Sequence, residues 1–201
     1  MSLLNQLEEI QWKQLRHDEN YHKEIWLLTV QQRITHMTLH LSKYGSKLIR
    51  AAFSQEISTI QKNAVDALII VFSSANIFNA IIPRFALSER ELSEENITSL
   101  AAHSFHTYKF KNLPQQVFLA LEVSDCTGRL CKVVESLDHL ETLNYREDIL
   151  KNLALLFKAL LALCHSTNAS DITKLIEDRL YQVEQKNPYF SRLGNYRTGY
   201  L

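Results

Sequence analysis

The sequence predicts an all-α fold, a helical bundle of about six to seven helices, and three observations carry that reading. Four glycines and three prolines in 201 residues are too few for the turns of a β-rich chain. Apolar residues recur at intervals of three and four along most of the length, and no segment keeps the two-residue period of a strand for long. Finally, "KNAVDALIIVF" at 62–72 returns 89 positions later as "KNLALLFKALL" at 151–161. The same offset matches Thr38 with Thr127, Leu41 with Leu130, Lys43 with Lys132, Leu48 with Leu137, Ile60 with Ile149 and Asn79-Ala80 with Asn168-Ala169. That makes nine identities in 43 aligned positions without a gap, where chance gives about three.

Taken in order, Leu3, Leu4, Leu7, Ile10 and Leu15 make residues 2–18 an amphipathic first helix. Ile25, Leu28, Ile34, Met37, Leu41 and Leu48 carry a second over 23–51, with Gly45 as a point of kinking or early ending. Residues 55–82 are apolar on nearly all sides, the mark of a buried helix, and Pro83 is the expected stop. Between 88 and 108 lies a weaker helix opened by Ser88 with Glu91 three residues on, the capping-box pattern. After Pro114 come helices at 115–138, 146–165 and 170–186, the last capped by Asp171 or Ser170 and ended by "NPYF". The whole reads as one domain, with a first half over 23–85, a connecting helix, a second half over 115–190 and a tail at 191–201. Two hairpins related by the repeat would pack as an internal pseudo-dimer and bury both apolar helices together.

Twenty-two basic and twenty-two acidic residues leave no net charge. No long-range field draws in nucleic acid or an anionic membrane. The N-terminus turns polar too early for a signal peptide, and Asp66, Ser73, Ser74, Asn76 and Asn79 speak against a membrane span at 64–82. Cys126, Cys131 and Cys164 suit free thiols in a reducing cytoplasm, and Cys126 and Cys131 lack CxxC spacing.

The second half carries a family resemblance. "DCTGRLCKVVESLD" (125–138), then "EDILKNLALLFKALLALCHSTNASDITKLIEDRLYQVEQKNPYF" (147–190), resembles the MazG-like all-α NTP pyrophosphatases in helix order, in Gly128-Arg129-Leu130 and in the "QKNPY" ending. The resemblance implies carboxylates at i and i+3 on two facing helices, holding Mg²⁺ that activates water against a nucleoside triphosphate. Here those positions are Cys126, Arg129, Asn152 and Leu155 in the second half, and Met37, His40, Asn63 and Asp66 in the first. Seven of the eight lack a carboxylate. The expectation is therefore a MazG-like scaffold without the metal centre, acting as a non-catalytic interaction or regulatory protein with no cofactor. The alternatives are a nucleotide- or phosphate-binding module and a divergent pyrophosphohydrolase using Mg²⁺ or a transition metal.

Candidate residues divide accordingly. Arg129, Lys132, Lys151 and Asn152 are the candidate ligand-binding set, with two lysines and a guanidinium to meet phosphate; Glu135, Glu147 and Asp148 are near enough to neutralise them instead. His36, His40 and Asp66 are the candidate metal ligands, joined in a wider version by His103 or His106; close histidine pairs also arise on helices without a metal. Asp66 in an apolar helix needs a partner, for which His36, His40 or Lys43 is expected, unless it faces solvent or a ligand. Trp12 and Trp26 are read as core or interface anchors. The tail "YFSRLGNYRTGYL" is read as packing or docking on a partner, and a homodimer is among the expected assemblies.

Overall fold

The structure is a computed structural model describing residues 1–110, 112–139 and 141–186. It is all-helical among the described residues, and the bundle expected from periodicity is present. Ten helices run α1 (Leu3–Tyr21), α2 (Lys23–Trp26), α3 (Val30–Phe53), α4 (Ile57–Ile77), α5 (Ile82–Ala86), α6 (Glu89–Leu92), α7 (Ile97–Thr107), α8 (Gln115–Asp138), α9 (Tyr145–Ser166) and α10 (Ile172–Lys186). The number exceeds six to seven because two expected helices divide and a short extra helix, α5, follows α4. A capping box of Thr29 with Gln32 starts α3 afresh after α2. The expected Ser88–Glu91 box forms, but it opens only the single turn of α6; a second box from Asn96 and Ser99 then starts α7.

Four long helices form the bundle. The hairpins α3–α4 and α8–α9 pack side by side, α3 against α8 and α4 against α9. The sequence-apolar α4 and α9 sit at the centre, where Phe72 and Phe157 meet edge to face with ring centroids 5.8 Å apart. Gly45 neither kinks nor ends α3, which continues to Phe53. It lies buried at the crossing with α8, where an added Cβ would make ordinary contact with Ser124 at 3.6 Å.

Two local features recur at the 89-residue offset. The Asn63 amide donates to Thr59 O at 2.9 Å and the Asn152 amide to Asp148 O at 2.8 Å, both one turn back. Asn79 and Asn168, at φ 49° and 59°, each carry the chain out of a central helix through the left-handed region. The Ala80 and Ala169 N–H groups then close back on Ala75 O and Cys164 O. Thus α4 ends at Ile77, before Pro83, and the proline opens α5 instead of stopping α4.

Around the bundle, α1 and α10 cover α4, while α5 and α7 cover α9. Gln11 locks α1 down: its amide donates to Asn76 Oδ1 at 2.8 Å and Ala80 O at 2.7 Å, and accepts from Ile82 N at 3.0 Å. Trp12 is not a core anchor, being about half exposed on the outer face of α1. One described helix, α9, is long and apolar enough to cross a membrane by length and composition, and 67% of its apolar window is buried within the bundle. The helix-ending "NPYF" and the aromatic tail lie outside the described residues.

Candidate ligand-binding cavity

The buried stripe of α1 begins apolar, at Leu3, Leu7 and Ile10, and turns polar at Gln11, Gln14 and His17 while keeping helical spacing. Its last members face a cavity of about 200 Å³ enclosed by α1, α2, α3, α4 and α10. Apolar walls come from Ile25, Met37, Ile69, Ile70, Leu180 and Val183. Polar groups come from Gln14, His17, Asp18, His22, Arg33, His36, His40, Tyr44, Asp66, Ser73 and Arg179.

Asp66 is paired, though by none of the expected residues. Arg179, from α10, donates Nε to Asp66 Oδ1 and Nη2 to Oδ2, the second at 3.2 Å. The pair is nearly closed to water, with the side chains 9% and 12% exposed. Lys43 contributes only a longer-range attraction to the carboxylate. The Tyr44 hydroxyl is pushed up to about 12, by burial first and by the Asp66 carboxylate next.

His36 and His40 stack one turn apart, ring centroids 4.5 Å. Burial, then the nearby Lys43, draws His40 down to about 4 and His36 in the same direction, so both rings are neutral at pH 7. The candidate metal set His36, His40 and Asp66 thus shares one cavity. However, both Asp66 oxygens already accept from Arg179. Arg33 rests on the Trp26 ring, its guanidinium carbon 4.2 Å from the centroid. Trp26 therefore serves the cavity wall, half-way between the core and solvent.

Polar satisfaction singles out this place. Eight buried side-chain nitrogen or oxygen atoms among the described residues lack a hydrogen-bond partner. Six of them belong to cavity residues: Gln14 Oε1, both His17 ring nitrogens, Arg33 Nε, His40 Nδ1 and Arg179 Nη1. Each such group costs free energy if nothing meets it, so this cavity gathers polar atoms for water or a ligand to satisfy.

The second-half set has a different fate. Arg129 binds Asp125 Oδ2 at 2.9 Å and donates to Cys126 Sγ at 3.1 Å. Lys132 pairs with Glu135 at 2.8 Å and Glu141 at 3.0 Å. Lys151 lines a shallow groove with Glu147, Asp148, Leu155 and Lys158 that includes neither Arg129 nor Lys132. Asn152 spends its amide on its own helix. These four are not gathered into one site. The other histidine pair separates too: His103 bonds Glu94 Oε1 at 2.9 Å, while His106 turns to the His165 ring.

Sequence reasoning missed Gln14, His17, Asp18, His22, Arg33 and Arg179. For Arg179 a signal existed, since it falls on the stripe of Ile172, Ile176, Leu180 and Val183. A cation there needs a buried acid, and Asp66 was waiting for a partner. No family model, curated protein or solved structure matches this chain.

Proposed function

We propose that the chain is a non-catalytic binding module on a MazG-like scaffold without the Mg²⁺ carboxylates, and that its first-half cavity takes a small anionic ligand of nucleotide type. The observation that carries this reading is that two guanidinium groups, Arg33 and Arg179, line one partly apolar cavity, each with a buried nitrogen, Nε and Nη1, that has no hydrogen-bond partner. A phosphate or carboxylate would complete both, and Trp26 and the isoleucines offer apolar surface to a ring. Magnesium finds little there. It needs several oxygen ligands, whereas the positions corresponding to the family's metal site hold Met37, His40, Asn63 and an Asp66 occupied by arginine. The hairpins α3–α4 and α8–α9 are, in this reading, two copies forming an internal pseudo-dimer, with this cavity built on the first. The repeated asparagine bonds and left-handed asparagines at the 89-residue offset support it.

Calorimetric titration with inorganic phosphate and a panel of nucleoside mono-, di- and triphosphates tests the reading. Saturable binding weakened at least tenfold by Arg33→Met, with no pyrophosphate released in Mg²⁺, is the expected result. Binding of no anion, or Mg²⁺-dependent pyrophosphate release, would overturn it. Pairing with a second copy is a further reading, favoured by Leu27, Leu39 and Phe53, which are 86%, 64% and 67% exposed. Light scattering at the expected dimer mass would support it. The free thiols, with Cys164 fully enclosed, support a reducing cytoplasmic setting.

A further inference from the structure

The C-terminal end of α1 carries a second feature that neither the resemblance nor the anion reading uses. His17, Asp18 and His22 each offer one ligand atom, and the three atoms lie within 4.8 Å of one another. The chain brings them together because α1 ends there. His22 caps the helix at φ −129°, ψ 43°, with its N–H on Asp18 O at 2.9 Å, and so leaves the helical path beside His17 instead of continuing past it.

We propose that His17, Asp18 and His22 form a binding site for a divalent transition cation of the zinc class. Two imidazoles and one carboxylate are a donor set that suits such ions, and three protein ligands leave one position open toward the cavity. A tetrahedral zinc ion with bonds of about 2.0–2.1 Å spaces its ligands about 3.3 Å apart, so a modest inward turn of the side chains closes the set.

Two observations point to an ion. His17 is 7% exposed, and neither of its ring nitrogens has a hydrogen-bond partner, which is an uncommon state for a buried imidazole. The surrounding groups are also arranged as outer-sphere supports. Asp18 Oδ2 accepts from Ser73 Oγ at 2.5 Å, while Oδ1 stands 4.0 Å from His17 Nδ1. The far nitrogen of His17, Nε2, lies 3.7 Å from Glu184 Oε1, and His22 Nδ1 lies 3.6 Å from Glu24 Oε1. Carboxylates behind ligating histidines orient the rings and raise their basicity. Asp18 also offsets the charge of Arg33 across the cavity.

This site does not depend on the anion reading, since metal uptake is measured with no anion ligand present. The full chain, stripped with chelator, is titrated with Zn²⁺ by calorimetry and with Co²⁺ by its visible absorption. The expected result is one equivalent bound, with the intense bands of a four-coordinate cobalt centre. Affinity should fall tenfold or more in His22→Asn and in Asp18→Asn, fall between tenfold and a hundredfold in Glu184→Gln, and stay unchanged in His103→Ala. His22 is partly exposed, so His22→Asn keeps the test decisive if Asp18→Asn fails to fold. Absence of saturable uptake would overturn the proposal. So would wild-type affinity in His22→Asn, including the case where His36→Asn alone abolishes binding and moves the ion to α3.

Discussion

Replacing Arg179 by methionine should be among the most damaging single changes in this protein, although it removes only one charge. The guanidinium is the charged partner of Asp66, making two bonds to its two oxygens, and the Tyr44 hydroxyl is a further, neutral neighbour of the carboxylate. With the carboxylate side chain 9% exposed, water cannot replace the lost partner. Breaking such a pair from one side costs about 3–5 kcal/mol, because a buried charge is left without compensation. For a chain of this size that corresponds to a fall of about 6–20 °C in the melting temperature. Lys43 also attracts the carboxylate, which sets the loss toward the lower end. Removing both charges, Asp66→Leu with Arg179→Met, should recover most of the loss and bring stability within about 1 kcal/mol of wild type. The assay is a double-mutant cycle by urea unfolding, with equal m-values confirming that all four proteins unfold alike. A cost below about 1 kcal/mol for Arg179→Met, the range of solvated surface pairs, would refute the closed geometry on which the cavity is built.

Further predictions follow from other groups. His40 is held near 4 in the folded chain against an ordinary 6.5, so the unfolded chain takes up a proton that the folded one refuses. Its contribution is intact above pH 6.5, is lost as pH falls toward 4, and levels off below. The loss is about 2–3 kcal/mol, and should appear as a wild-type decline, in metal-free buffer, that His40→Leu does not share. Gln11→Leu strands Ala80 O and Ile82 N and should cost about 2–3 kcal/mol in denaturant unfolding, against almost nothing for a change at exposed Trp12. Asn168→Ala should cost about 1 kcal/mol and Asn168→Gly little or nothing, since φ 59° strains alanine but not glycine; equal losses would show the position is not left-handed.

How much of this could be read in advance differs by level. Helix type and the central place of α4 and α9 were legible, because an apolar stripe of helical period dictates both conformation and the face to be buried. The asparagines at the 89-residue offset recur in shape as well as in letter. Breaks within helices were less so: the capping boxes at Thr29 and Asn96 compete locally with propagation, and their outcome depends on a balance of about 1 kcal/mol. Pro83 reads as a stop, but the earlier turn at Asn79 already ends α4 and leaves the proline to open α5.

The sequence by itself determined an all-helical bundle, a lone acid in an apolar helix and the near absence of oxygen ligands where the resemblance places magnesium. Only the tertiary structure decided who meets whom. Asp66 found Arg179 at a separation of 113 residues, and His17, Asp18 and His22 came to face Arg33, His36 and His40 across one cavity. The physical reason is that periodicity along a helix specifies which face turns inward, while the partner across the gap depends on which helices dock and at what height. That choice is made by the sum of many apolar contacts, none of which is written beside the charged residue it positions.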